Sequence, residues 1–218
     1  MKIKNLIFDL DGTLIDSSEG VVEAVNYSLR QMGQQEQKPE TIKPFIGYAL
    51  EVMYPEFTDA PLDELYRHFQ VKAAESIVSS TVILDGVGET LAKLSENNYT
   101  MAIATTKIKK HVDKIINKFE WGPFFKAWVG GDEVAKVKPD PEIFFKVLKK
   151  MGAEPSETLV IGDTVNDILA ARAVPMCSVA VLSPYGGRDK LLASKPDFVL
   201  DSMANLPELL EKIVTGEK

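Results

Sequence analysis

The stretch "FDLDGTLIDS", residues 8–17, closes an apolar run that begins at Ile3, and it places Asp9 and Asp11 one residue apart just beyond that run. Ile3 to Phe8 reads as a buried β-strand. Burying one carboxylate is costly. Burying two like charges together is worse, unless a cation or hydrogen-bond donors compensate. A first strand that delivers two such groups to one place needs a positive partner there.

Working outward, similar apolar runs recur: "TMAIAT" (100–105), "KAWVG" (126–130), "TLVIG" (158–162), "SVAVL" (178–182) and "DFVL" (197–200). Stretches of helical period separate them. In "PEIFFKVLKKMG", Ile143, Phe144, Val147, Leu148 and Met151 share one face, and Gly152 is a C-cap candidate. Continuous apolar strands alternating with helices predict an α/β fold, a Rossmann-like parallel sheet with helices on both faces. From about Asp16 to about Ser80 the alternation stops. "SSEGVVEAVNYSLRQMG" opens with candidate serine caps and closes on Gly33, and "LDELYRHFQVKAAESIV" sets Leu62, Leu65, Tyr66, Phe69, Ala73 and Ile77 along one stripe. Residues 1–15 and 81–218 are therefore expected to form the core, with 16–80 as an inserted, all-helical second domain on two linkers.

With 218 residues, 45% of them hydrophobic, the chain can bury a substantial core. No apolar run approaches a bilayer's span, and aspartates interrupt the N-terminal run too early for a secretory signal. One cysteine, Cys177, allows no internal disulfide, so a cytoplasmic setting is expected. The two histidines, His68 and His111, join no Cys/His cluster for zinc, and His111 on its lysine-rich helix is expected to be solvated. A net charge of −7 argues against a non-specific nucleic-acid binder. It leaves room for a local positive site that meets an anion.

Ligands of open parallel sheets sit beyond the C-terminal strand ends. After the first strand come Asp9, Asp11, Gly12 and Thr13; after "MAIA", Thr105, Thr106 and Lys107; after "VIG", Asp163 and then Asp167. The loop before "PEIFF" carries Lys136 and Lys138. Carboxylates converging on one rim suit Mg2+, a hard ion that completes its octahedron with water and phosphate oxygens. Hydroxyls, an ammonium and the backbone of the Gly12 turn suit a phosphoryl group. Singly, each motif also has a structural explanation: "GDTVND" as a helix cap, Lys138 as a surface lysine, Thr105 as a β-branched strand residue. Four of them in register is the stronger pattern.

That pattern, "DLDGT" at 9–13, a strand-final Thr105, "KPDP" at 138–141 and "GDTVND" at 162–167, resembles the haloacid dehalogenase-like hydrolase superfamily in its phosphatase branch. The resemblance implies a small phosphorylated metabolite as substrate, with no nucleic-acid or membrane partner. It implies Asp9 as the nucleophile that becomes an aspartyl phosphate and Asp11 as general acid and then base. Thr105 would hydrogen-bond the phosphoryl oxygens, with Gly12, Thr13 and Thr106 beside it, and Lys138 would neutralise charge. Mg2+ would be held by Asp9, Asp163 and the backbone carbonyl of Asp11, while Asp167 supports the metal shell or orients Lys138.

The chain departs from the family pattern at Thr106, where many relatives have Asn, and at Val174-Pro175, where a Gly is common. "TIKPFIGYAL" loosely resembles the substrate-facing stretch of phosphoglycolate phosphatases around Gly47, so a phosphoglycolate-like monoester is the leading expectation. Alternatives within the superfamily are a sugar-phosphate mutase, a pyrophosphatase and a nucleotidase. A non-catalytic phospho-ligand sensor is the reading from another class, and the intact motifs argue against it.

Overall fold

The computed structural model describes residues 2–185 and 187–216. The chain opens with β1 (Asn5–Phe8) and β2 (Ile15–Asp16), then runs through four helices: α1 (Ser18–Gln31), α2 (Pro39–Ile42), α3 (Leu50–Met53) and α4 (Leu62–Ser80). It continues with β3 (Val82–Ile83), α5 (Val87–Glu96), β4 (Thr100–Ala104), α6 (Lys109–Lys118), β5 (Phe125–Val129), α7 (Glu142–Met151), β6 (Thr158–Gly162) and α8 (Val165–Ala173). Last come β7 (Cys177–Val181), α9 (Arg188–Ala193), β8 (Phe198–Leu200) and α10 (Leu206–Thr215).

Six strands form one parallel sheet in the order β5-β4-β1-β6-β7-β8, and each of them falls on an apolar run seen in the sequence. Strands buried on both faces need no polar alternation, which is why the runs are continuous. In β1, Leu6 and Phe8 face one hydrophobic layer and Ile7 faces the other. The first layer takes Leu91 and Leu94 of α5, Val112, Ile115 and Ile116 of α6, and Leu206 and Leu210 near the C-terminus. The second takes Ile143, Phe144, Val147, Leu148 and Met151 of α7 with Ala170 and Ala171 of α8. The α7 stripe is the one expected, and Gly152 caps it at φ +66°.

The segment between β2 and β3 gathers around a separate hydrophobic cluster, in which Ala24, Val25 and Leu29 of α1 meet Leu65, Ala73 and Ile77 of α4, joined by Tyr185 from beyond β7. Gly20 permits this approach, since a Cβ there would stand 2.6 Å from the Ile77 Cα. The two ends of the segment pair as a short antiparallel ribbon, Ile15 opposite Ile83 and Asp16 opposite Val82. Lys118 of α6 fastens its far end, donating to the carbonyls of Val78, Ser79 and Thr81 at 2.8, 3.0 and 2.7 Å. Ser17 precedes α1 but makes no side-chain cap; its hydroxyl is used elsewhere. Among the described residues, no helix is long and apolar enough to cross a membrane.

Candidate active site

Strand register sets the site. Phe8 of β1 stands level with Ile103 of β4 and Ile161 of β6. Asp9 follows β1, Thr105 follows β4 and Asp163 follows β6, so all three leave the sheet at the same edge, Asp9 one residue earlier in register than the other two. The Asp9 amide donates to the Ile161 carbonyl at 2.8 Å, so the strand pairing itself aims that carboxylate.

Asp9, Asp163 and Asp167 bring carboxylate oxygens within 4.8 Å of one another, all three buried. Lys138, itself buried, lies among them. Its ammonium donates to Asp9 Oδ1 and Asp167 Oδ1 at 2.6 Å each and to the Ala104 carbonyl at 3.0 Å. Burial alone would discharge this lysine, but Asp167 and Asp9 outweigh it and hold the pKa above the ordinary lysine range. For Asp9 burial wins. Burial, opposed by Lys138 and reinforced by Asp167 and Asp11, raises its carboxyl to about 7. Asp163 is raised as well, by burial and then by Asp9 and Asp167.

Each carboxylate is held differently. Asp167 has both oxygens engaged, one on Lys138 and the other accepting from the Thr164 amide at 3.1 Å and the Thr164 hydroxyl at 2.6 Å, a capping box on α8. The cap and the site are one structure. Asp163 accepts from the Thr13 hydroxyl at 3.2 Å and from Ser183. Asp9 Oδ2 is buried and has no hydrogen-bond partner. Gly12, at φ +84°, lets the backbone pass close to Asp163; a Cβ there would meet Asp163 Oδ2 at 2.1 Å.

A group that fits this donor set must be cationic, small and oxygen-seeking. Three carboxylates face one ammonium, and an orphaned carboxylate oxygen needs a partner. The Asp9, Asp163 and Asp167 carboxylates fit Mg2+ on these grounds, Asp167 with both oxygens already accepting hydrogen bonds.

Asp11 stands apart from that cluster. Its Oδ1 accepts from the Ser17 hydroxyl, and its Oδ2 lies 3.1 Å from Lys107 Nζ. Thr105 is buried, and its hydroxyl oxygen accepts the Lys107 amide at 3.2 Å, leaving the hydroxyl proton to donate. Thr106 donates its hydroxyl to the Gly47 carbonyl of the helical segment at 3.1 Å. Thr13 spends its hydroxyl on Asp163. Lys136 is exposed and stays out of the site.

One feature reverses an expectation drawn from the sequence. His111 is not solvated: it is 5% exposed, its helix turning it inward beside Val112 and Ile115. Burial and the nearby Lys107, Lys114 and Lys110 lower its pKa to about 4, so it is neutral. Ser17, Ser183 and Lys107 carry site contacts that the motifs did not assign. Ser183 had a legible signal, since it follows the apolar run 178–182 as Asp163 follows the run 158–162.

Between the rim and the helical segment lies a chamber of about 430 Å³. Tyr48 and Phe45 line it from above and Lys107 and His111 from below. Burial and then Asp167 and Asp163 raise the Tyr48 hydroxyl's pKa, which places this side chain within electrostatic reach of the carboxylates.

A parallel sheet with carboxylates at the ends of β1 and β6 and a lysine between them defines a hydrolase class, and the model of the haloacid dehalogenase-like hydrolase family matches residues 6–181. The chain belongs to that family and is a hydrolytic enzyme. It is 34% identical over 216 residues to the pyrophosphatase PpaX of Bacillus mycoides, covering 98% of this chain and 99% of that protein. It is 34% identical over 213 residues to the PpaX of Bacillus cereus, covering 96% and 97%. Among solved structures, a haloacid dehalogenase-like hydrolase from Bacteroides fragilis superposes with a TM-score of 0.88 at 26% identity, over 94% of this chain and 100% of that one. One from Haemophilus somnus, described as a predicted phosphoglycolate phosphatase, gives 0.86 at 26% identity over 96% and 99%.

Proposed function

We propose that the protein is a Mg2+-dependent phosphohydrolase that cleaves a small phosphorylated metabolite through an aspartyl phosphate on Asp9. The observation that carries this reading is the state of the Asp9 carboxylate, with one oxygen held by Lys138 and the other buried without a partner. A carboxylate so placed is oriented by the lysine and keeps one oxygen free of hydrogen bonds.

In the first step Asp9 attacks phosphorus, the bond from phosphorus to the leaving oxygen breaks, and Asp11 gives that oxygen a proton. In the second, water attacks the phosphorus of the aspartyl phosphate while Asp11 takes the water's proton, and inorganic phosphate departs. Lys138 offsets charge on nucleophile and phosphoryl group, Thr105 donates its hydroxyl to a phosphoryl oxygen, and Asp167 keeps Lys138 in place. Asp9, Asp163 and the Asp11 carbonyl would hold Mg2+, which supplies positive charge against the repulsion between a carboxylate and an anionic ester.

We assign residues 16–80 the role of a cap domain over a core of 1–15 and 81–218. The Thr106–Gly47 hydrogen bond and the position of Tyr48 support this division. For the substrate, the pyrophosphatase name of the full-length relatives favours pyrophosphate over phosphoglycolate.

Phosphate release from pyrophosphate and a panel of phosphomonoesters, with and without Mg2+, tests the reading. Mass spectrometry of acid-quenched enzyme should find a phosphoryl group on Asp9. Turnover without that adduct, or equal turnover after chelation, would overturn the mechanism.

A further inference from the structure

The chamber walls contributed by the helical segment are mostly apolar or aromatic, among them Phe45, Tyr48, Tyr66 and Phe69. An anion entering such a space loses hydration and needs a cation in return. From the core side the chamber offers Lys107, Lys110 and His111. His111 is neutral and Lys110 is exposed. Lys107 differs from both: its side chain is only 7% exposed, and its ammonium rests against Asp11 Oδ2 at 3.1 Å. Asp11 does not depend on it alone, because Ser17 holds the other carboxylate oxygen. A charged lysine is thus kept under cover between the proposed acid and the space where the leaving group must sit.

We propose that Lys107 is a specificity-determining residue, which turns from Asp11 to a second anionic group on the leaving group, so that the enzyme prefers substrates carrying negative charge close to the scissile bond. The proposal rests on the phosphohydrolase reading and deepens it. A flexible four-carbon stem ending in a compact charge allows the change of partner without backbone movement. A phosphate or a carboxylate would serve equally as the second anion. An uncharged leaving group would leave Lys107 where it is and draw nothing from it.

Full-length enzyme, Lys107→Met and Lys107→Arg are to be compared by kcat/KM on pyrophosphate, phosphoglycolate and phenyl phosphate. Losing one charge-assisted contact should lower kcat/KM for an anionic leaving group roughly 10- to 100-fold more than for phenyl phosphate, with Lys107→Arg recovering most of the difference. A larger selective loss on pyrophosphate identifies the second anion as phosphate, and a larger one on phosphoglycolate as carboxylate. Equal losses on all three substrates overturn the proposal.

Calorimetry separates this from the parent reading, because it needs no turnover. The unsubstituted protein should bind methylenediphosphonate more tightly than methylphosphonate, and Lys107→Met should lose that preference. If the preference is seen but no phosphate compound is cleaved, the phosphohydrolase reading fails and the role of Lys107 stands. If cleavage is normal and the preference is the same in both proteins, Lys107 is excluded.

Discussion

Lys138 Nζ lies 2.6 Å from Asp9 Oδ1, a contact between residues 129 positions apart in the chain. The same ammonium is shared with Asp167 and the Ala104 carbonyl, so all three of its protons are used. Replacing Lys138 by Met would leave two buried carboxylates without their counter-charge. Removing one partner of a buried ion pair costs about 3–5 kcal/mol. Thermal unfolding of metal-free Lys138→Met should show a loss of this order, with Mg2+ restoring part of it. A Tm equal to the parent's would mean the lysine does not neutralise these groups.

Asp9 and Asp163 give a pH dependence of definite sign. Burial raises both carboxyls above 3.8, Asp9 to about 7, so the folded protein holds protons that the unfolded chain has released. The contribution of each raised group is fully present below the unfolded pKa and is lost as pH rises through the folded one. The metal-free protein should therefore lose stability, from these groups, between about pH 4 and about pH 7. Asp9→Asn cannot titrate, so denaturation curves should show it gaining on the parent as pH rises, while its turnover is abolished. A stability difference that stays constant with pH would refute this.

The chamber residues Phe45 and Tyr48 are expected to behave differently. Phe45 stacks edge-on against Phe57, ring centroids 5.6 Å apart, and packs on the helical segment's cluster. Truncating it should destabilise by about 1–3 kcal/mol and cloud any kinetic reading. Tyr48 is outside that cluster and lines the chamber. Tyr48→Ala should leave Tm within about 2 °C, a surface-like effect. It should change kcat/KM for natural substrates far more than for phenyl phosphate. Equal kinetic losses would remove Tyr48 from substrate selection.

The six sheet strands were legible because a sheet buried on both faces writes itself as unbroken apolar runs. Asp9, Thr105 and Asp163 were legible for the same reason, since each is fixed by where a strand stops. Ser17 read as a helix cap because serine before a helix usually is one, and only the fold shows its hydroxyl turned back to Asp11. His111 was hidden by the lysines around it. The signal for His111 was its phase, four residues before the buried Ile115. Lys107 was on the rim by its place after β4, and only the fold shows its ammonium against Asp11, 96 positions away.

The ribbon pairing Ile15 with Ile83 and Asp16 with Val82 brings the two ends of the intervening segment to one doorway. None of the six strands of the large sheet lies inside that doorway. Residues beyond it are thus a cassette, and a tight turn joining the two rungs would close the chain as an ordinary hairpin. The graft point matters, however. Ser17 sits one residue past the ribbon and holds Asp11. A foreign cassette spliced directly after Asp16 would keep the sheet and lose the clamp on the acid, whereas one spliced after Ser17 would keep both.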